Sequence, residues 1–126
     1  MEPMKKILIV DDEYVFGKTL KEYLVRVGFD AQVCTDGALA LDLIMSEKPD
    51  LITLDIRLPG INGYDILDKL GGKPDSPIIV IISGIDKDET EQRLLKMGAK
   101  TVFNKPVNLS ELVTSFKEFL LPKSNV

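Results

Sequence analysis

The residues with chemistry to offer sit where apolar runs stop. Asp11 and Asp12 follow Ile7-Leu8-Ile9-Val10 directly, and Glu13 extends the acidic stretch. Asp55 follows Leu51-Ile52-Thr53-Leu54, Ser83 and Gly84 follow Ile78-Ile79-Val80-Ile81-Ile82, and Lys105-Pro106 comes just after Thr101-Val102-Phe103. Each has an ordinary use on its own. Asp11 and Asp12 suit helix N-caps, Asp55 a turn before Pro59-Gly60, Ser83 a cap, and Lys105 a solvated surface. Gathered in one place they suit something else. Two carboxylates ~4 Å apart repel by about 4 kcal/mol at an effective dielectric near 20, so Asp11, Asp12 and Asp55 need a cation among them. Oxygen ligands without nitrogen or sulfur favour Mg²⁺ or Ca²⁺, and few carboxylates with room for water and a phosphate favour Mg²⁺. A metal, a lysine and a hydroxyl around a free carboxylate form a site for phosphoryl transfer. The carboxylate itself can be the nucleophile, giving an aspartyl phosphate.

Gathering them is the task of the intervening elements. The apolar runs are short and rich in β-branched residues, and three are apolar at nearly every position, which suits strands covered on both faces. Ala31-Gln32-Val33-Cys34 is the fifth such run. Between the runs lie helical patterns. Phe16, Leu20, Tyr23, Leu24 and Val27 share one face, with Gly28 as a C-cap. Ala40, Leu43 and Ile44 form a second stripe, ended before Pro49. A short helix is predicted from Gly63 to Leu70, and another from near Asp86, with Glu89 as capping partner, to Gly98. The last has Asn108 as N-cap, Glu111 three residues on, and Val107 and Leu112 as a hydrophobic staple. Strand and helix thus alternate five times. Right-handed crossovers put helices on both faces of such a sheet, and ligands bind beyond the carboxyl ends of its strands. Those ends carry the acids, the serine and the lysine.

Composition narrows the classes further. The chain has 126 residues with 16 basic and 20 acidic, a net charge of −4, which fits one soluble domain. Without a basic run it lacks the clustered cations that nucleic acid demands. It has no His and a single Cys, Cys34, so zinc sites and Ser-His or Cys-His catalysis are unsupported. A lone Cys forms no internal disulfide, in keeping with a reducing compartment. The apolar run Ile7–Val10 falls short of the about 7–15 residues of a signal sequence and the about 20 of a membrane span. The chain is therefore expected to be cytoplasmic and to bind neither membrane nor nucleic acid.

The whole order of motifs resembles the receiver domain of two-component response regulators, over residues 5–121, with 122–126 a terminus or the start of a linker. The resemblance implies an α/β, (βα)5 doubly wound fold with a parallel sheet of order 2-1-3-4-5. It implies that Asp55, in Leu54-Asp55-Ile56-Arg57-Leu58-Pro59-Gly60, is the phosphoacceptor, with Ser83 and Lys105 contacting the phosphoryl group and a cis bond between Lys105 and Pro106. It implies Mg²⁺ as cofactor, ligated directly by Asp12 and Asp55, through water by Asp11, and by the backbone carbonyl of Arg57. The implied partner is a sensor histidine kinase or a histidine phosphotransfer protein. The implied role is a signalling domain rather than an enzyme, assisting only its own phosphorylation and dephosphorylation. Phosphorylation would switch the surface of the fourth helix, fifth strand and fifth helix, act on an output domain or protein target, and leave the oligomeric state open to change.

Two departures stand out. The family often carries Tyr or Phe three residues before the lysine, and Val102 stands there, with Phe103 one place off. Lys100 and Thr101 stand where members that dimerise through the fourth helix, fifth strand and fifth helix often have acids. Phe103 is therefore expected to be core, and the signal to run through Ser83, Gly84 and the following loop.

Rival functions meet obstacles in the same residues. A flavodoxin-like carrier needs a Ser/Thr/Gly-rich loop after the first strand, where Asp11-Asp12-Glu13 would repel the flavin phosphate. An aspartate-nucleophile phosphatase needs a second acid two residues past Asp55, and Arg57 cannot serve as one. A pseudo-receiver, working without phosphorylation, usually lacks an Asp or the Lys that this chain keeps.

Overall fold

The computed structural model describes residues 4–58, 60–84 and 88–120. In chain order the elements are β1 (Lys6–Val10), α1 (Tyr14–Arg26), β2 (Asp30–Cys34), α2 (Gly37–Glu47) and β3 (Leu51–Leu54), followed by α3 (Gly63–Leu70), β4 (Ile78–Ser83), α4 (Asp88–Lys96), β5 (Thr101–Asn104) and α5 (Leu109–Leu120). The strands form one parallel sheet of order β2-β1-β3-β4-β5. The expected fold class and strand order are both found.

The central strands are buried on both sides because successive residues face opposite layers. Leu8, Val10, Ile52, Leu54, Ile79 and Ile81 pack under α2, α3 and α4 with Ala40, Ile44, Ile66, Leu67 and Leu94. Ile7, Ile9, Leu51, Val80 and Ile82 pack under α1 and α5 with Leu20, Leu24, Leu112, Val113 and Phe116. Strand order reverses between β1 and β3, so the ends of these two strands open side by side.

Local signals explain most helix ends. Asn108 accepts the Glu111 N–H at 3.0 Å, and Val107 joins Leu112 in the apolar layer as the staple requires. Two starts went unread in the sequence. Asp36 accepts from the Ala38 and Leu39 N–H groups at the head of α2. Asn62 and Asp65 form a reciprocal capping box at the head of α3. At the end of α1 the cap is Val27, and Gly28 lies beyond it at φ +103°, a value that favours glycine. Val27 itself is exposed rather than part of the buried stripe. The proposed start of the fourth helix at Asp86 lies outside the described residues, as do Pro59, Ile85 and residues 121–126.

The edge strand β5 changes one expectation. Phe103 faces the layer of α1 and α5 as strand alternation predicts, but it is half-buried, not full core. An edge strand has a neighbour on one side only, so its side chains cannot be enclosed as those of β3 and β4 are. Val102 is likewise half-buried, against the opposite layer.

Candidate functional site

β1 and β3 deliver their acids to one place by register. Val10 pairs with Leu54, so Asp11 and Asp55 leave the sheet side by side, and the Asp55 N–H donates to the Val10 carbonyl at 3.0 Å. Ser83 ends β4 and pairs with Asn104, which brings Lys105 to the same rim from β5. Ser83 is thus a strand residue and not a helix cap.

Ligand oxygens of Asp11, Asp12 and Asp55 lie within 4.8 Å of one another. Asp11 and Asp55 are buried, while Asp12 is exposed. The Asp55 Oδ1 atom accepts from the Ser83 hydroxyl at 2.7 Å and from the Arg57 N–H at 2.9 Å. Asp55 Oδ2 faces the Lys105 ammonium at 3.3 Å. Lys105 also reaches Asp11 Oδ2 at 2.8 Å and Glu13 Oε1 at 2.9 Å, and its Nζ lies 4.6 Å from the centre of the Phe16 ring. The Lys105–Pro106 bond is cis.

Crowding of the acids is therefore relieved from within. Lys105, expected at this rim as a positive charge, lies against the two buried carboxylates, Asp11 and Asp55, and leaves Asp12 without an ion pair among the described residues. Burial alone would pull the Lys105 ammonium below its ordinary range. The hydrogen bonds to Asp11 and Glu13 and the nearby Asp55 outweigh it and hold the group above that range.

Burial pushes the Asp11 carboxyl up, against the lowering effect of its bonds to Lys105 and to the Glu13 N–H. Just above its ordinary value of 3.8 the folded chain then holds more protons than the unfolded one. Stability owed to Asp11 is full below that value and falls as pH rises through the raised folded value. Denaturant midpoints measured upward from about pH 4 should thus decline more in the wild type than in Asp11→Asn.

Two participants were missed by the sequence reasoning, Glu13 and Phe16. Glu13 was legible as the third acid of one run, but its ion pair with a lysine 92 positions away was not. Phe16 was assigned to a helix stripe, and its ring also borders the site. Arg57 lies beside Asp55 through its N–H, and the residue is exposed. No helix among the described residues is long and apolar enough to cross a membrane.

Comparison with known proteins agrees with this geometry. The model of the response regulator receiver domain family matches residues 7–117. Sporulation initiation phosphotransferase F of Bacillus subtilis (strain 168) is 33% identical over 121 residues, covering 96% of this chain and 98% of its own. The BeF3-activated N-terminal receiver domain of RstA from Klebsiella pneumoniae superposes with a TM-score of 0.86 at 31% identity, over 94% of this chain and 100% of that one. A CheY-like receiver domain protein from Methanospirillum hungatei JF-1 gives 0.85 at 28% identity, over 92% and 93%. With an acidic rim built by the same strand order, matched along nearly its whole length, the chain belongs to the response regulator receiver domains of two-component signalling.

Proposed function

We propose that Asp55 accepts a phosphoryl group from a phosphohistidine on a kinase or phosphotransfer protein, and that the domain signals by this change without being an enzyme for an outside substrate. The observation that carries this is the division of labour between the two Asp55 oxygens. Oδ1 is occupied by Ser83 and the Arg57 N–H, while Oδ2 has one longer contact, to Lys105. Oδ2 therefore keeps lone pairs free for attack. A P–O bond forms to it as the P–N bond of the donor breaks, and the leaving imidazole nitrogen keeps the bonding pair.

Lys105, 3.3 Å from Asp55 Oδ2, is placed to balance charge on the incoming oxygens once it exchanges carboxylate contacts for them, and the Ser83 hydroxyl is close enough to turn from Asp55 to the new group. With no histidine among these 126 residues, a phosphohistidine donor lies outside this domain. The three clustered carboxylates, all oxygen and one of them exposed, fit Mg²⁺. Asp11, Asp12, Asp55 and the Arg57 carbonyl would hold it, and when bound it supplies further positive charge for the phosphoryl oxygens. A small N–P donor, phosphoramidate, tests the reading. Added with Mg²⁺, it should raise the intact mass by one phosphoryl group, and chelating the metal should prevent this. Phosphorylation unaffected by chelation would remove the metal from the account.

Arg57 bears on how long the group persists. Its exposed side chain starts two residues from Asp55, where a long cation obstructs an attacking water. Arg57→Asn should shorten the lifetime of the acyl phosphate by about tenfold, equivalent to about 1.4 kcal/mol in the barrier. Decay followed by intact mass checks this.

A further inference from the structure

Lys105 is crowded by carboxylates. A lysine ammonium has three N–H donors. Here three carboxylates lie within reach of it, Asp11 at 2.8 Å, Glu13 at 2.9 Å and Asp55 at 3.3 Å, and the Phe16 ring lies 4.6 Å from the same nitrogen. A phosphoryl oxygen arriving on Asp55 Oδ2 inherits the longest of these contacts, at 3.3 Å, while the two short ones stay with Asp11 and Glu13. For the phosphoryl group to gain a short contact, one of the carboxylates has to give way, and the three are unequal. The side chains of Asp11 and Asp55 are 2% and 6% exposed, and that of Glu13 is 62% exposed. Asp11 is further held by the Glu13 N–H at 2.9 Å, and Asp55 by Ser83 and the Arg57 N–H. The Glu13 side chain makes no other hydrogen bond or ion pair among the described residues, and it occupies the N-cap position of α1 without a side-chain cap bond. Water can take its place at little cost.

Building on Asp55 as phosphoacceptor, we propose that Glu13 is an internal competitor for Lys105: its carboxylate holds the lysine in the unphosphorylated state and must swing out before the phosphoryl group can be bound. Glu13 and the phosphoryl oxygens are alike in charge and acceptor chemistry, so both cannot sit at 2.9 Å from one ammonium without repelling each other. The residue thereby sets a threshold on phosphorylation. It slows uptake from weak donors, and its release accompanies the phosphorylated state at the very start of α1.

The test compares four proteins: wild type, Glu13→Ala, Lys105→Met and the double variant. Each is incubated with Mg²⁺ and acetyl phosphate, and initial phosphorylation is followed by intact mass. Glu13→Ala, which removes one exposed ion pair, should accelerate uptake by up to about fivefold, equivalent to about 1 kcal/mol. In the Lys105→Met background the same substitution should change nothing, because the lysine it competes for is gone. Equal acceleration in both backgrounds would show that Glu13 merely repels an anionic donor, and no acceleration in either would show that it does not compete. Both outcomes overturn the proposal.

Should Lys105→Met react too slowly to time, beryllium fluoride with Mg²⁺ gives an equilibrium version, read from the amide resonance of Gly84. Binding should tighten in Glu13→Ala by up to about fivefold and be unchanged between Lys105→Met and the double variant. Tightening in both backgrounds overturns the proposal here as well. Absence of any phosphoryl gain in the wild type would overturn the phosphoacceptor reading itself, a result distinct from either of these.

Discussion

Phe116→Ala should cost about 3–5 kcal/mol of stability, whereas Phe103→Ala should cost about 1–2 kcal/mol. Both rings belong to the apolar layer beneath α1 and α5. Phe116 projects from α5 into that layer and is fully enclosed, so truncation leaves a cavity that its lining fills only in part. Phe103 lies on the edge strand and is half-buried, so water and its neighbours can fill part of the space. The difference also bears on signalling. A half-buried ring is free to change its surroundings at small cost, while Val102, β-branched and stiff at one rotor, offers no such sweep. Denaturant curves of the two variants settle the packing. Amide shifts of α4 on phosphorylation settle the signalling. A Phe103→Ala protein that folds well and still transmits the shift shows that the ring is not the switch, as a route through Ser83 and Gly84 requires.

The second large effect concerns the metal response. At a concentration one hundredfold above its dissociation constant, an ion that binds only the folded state stabilises by about 2.7 kcal/mol. Asp12→Asn should remove most of that increment, because Asp12 is the one exposed carboxylate of the three and the one with no bond to Lys105 among the described contacts. Without metal the same variant should differ from the wild type by only about 0–1 kcal/mol, since solvent screens an exposed charge. The small metal-free effect follows from Lys105, which already neutralises the buried pair. Denaturant curves with and without Mg²⁺ supply both numbers, and an undiminished metal increment in Asp12→Asn would show that this residue is no ligand.

The fold was legible because its strongest signals are local. Apolar runs such as Ile78–Ile82 have few other places to go than the middle of a parallel sheet, and the charged residues that end them mark the rim. The order of strands then brings Asp11, Asp55, Ser83 and Lys105 together without any long-range information. Three features needed the third dimension. Phe103 matched a core pattern, and only its place on an edge strand leaves it half-open. Lys105 was placed at the rim by its strand, but which acids it pairs with, Asp11 at 2.8 Å and Glu13 at 2.9 Å ahead of Asp55 at 3.3 Å, is not a sequence property. Glu13 was visible as one more acid in a run, yet its pairing depends on α1 starting at Tyr14, which sets Glu13 at the N-cap with its side chain turned to solvent and to Lys105. The helix starts at Asp36 and Asn62 were, by contrast, readable in principle. Each is a capping residue, and at Asn62 an Asp stands three places on, the spacing of a capping box.

The central claim is that a single carboxylate, Asp55, takes the phosphoryl group. Wild type and Asp55→Asn, incubated side by side with Mg²⁺ and a small acyl phosphate and weighed intact, test it most directly. One phosphoryl group on the wild type and none on Asp55→Asn is the predicted result, and a gain that survives in Asp55→Asn would contradict it.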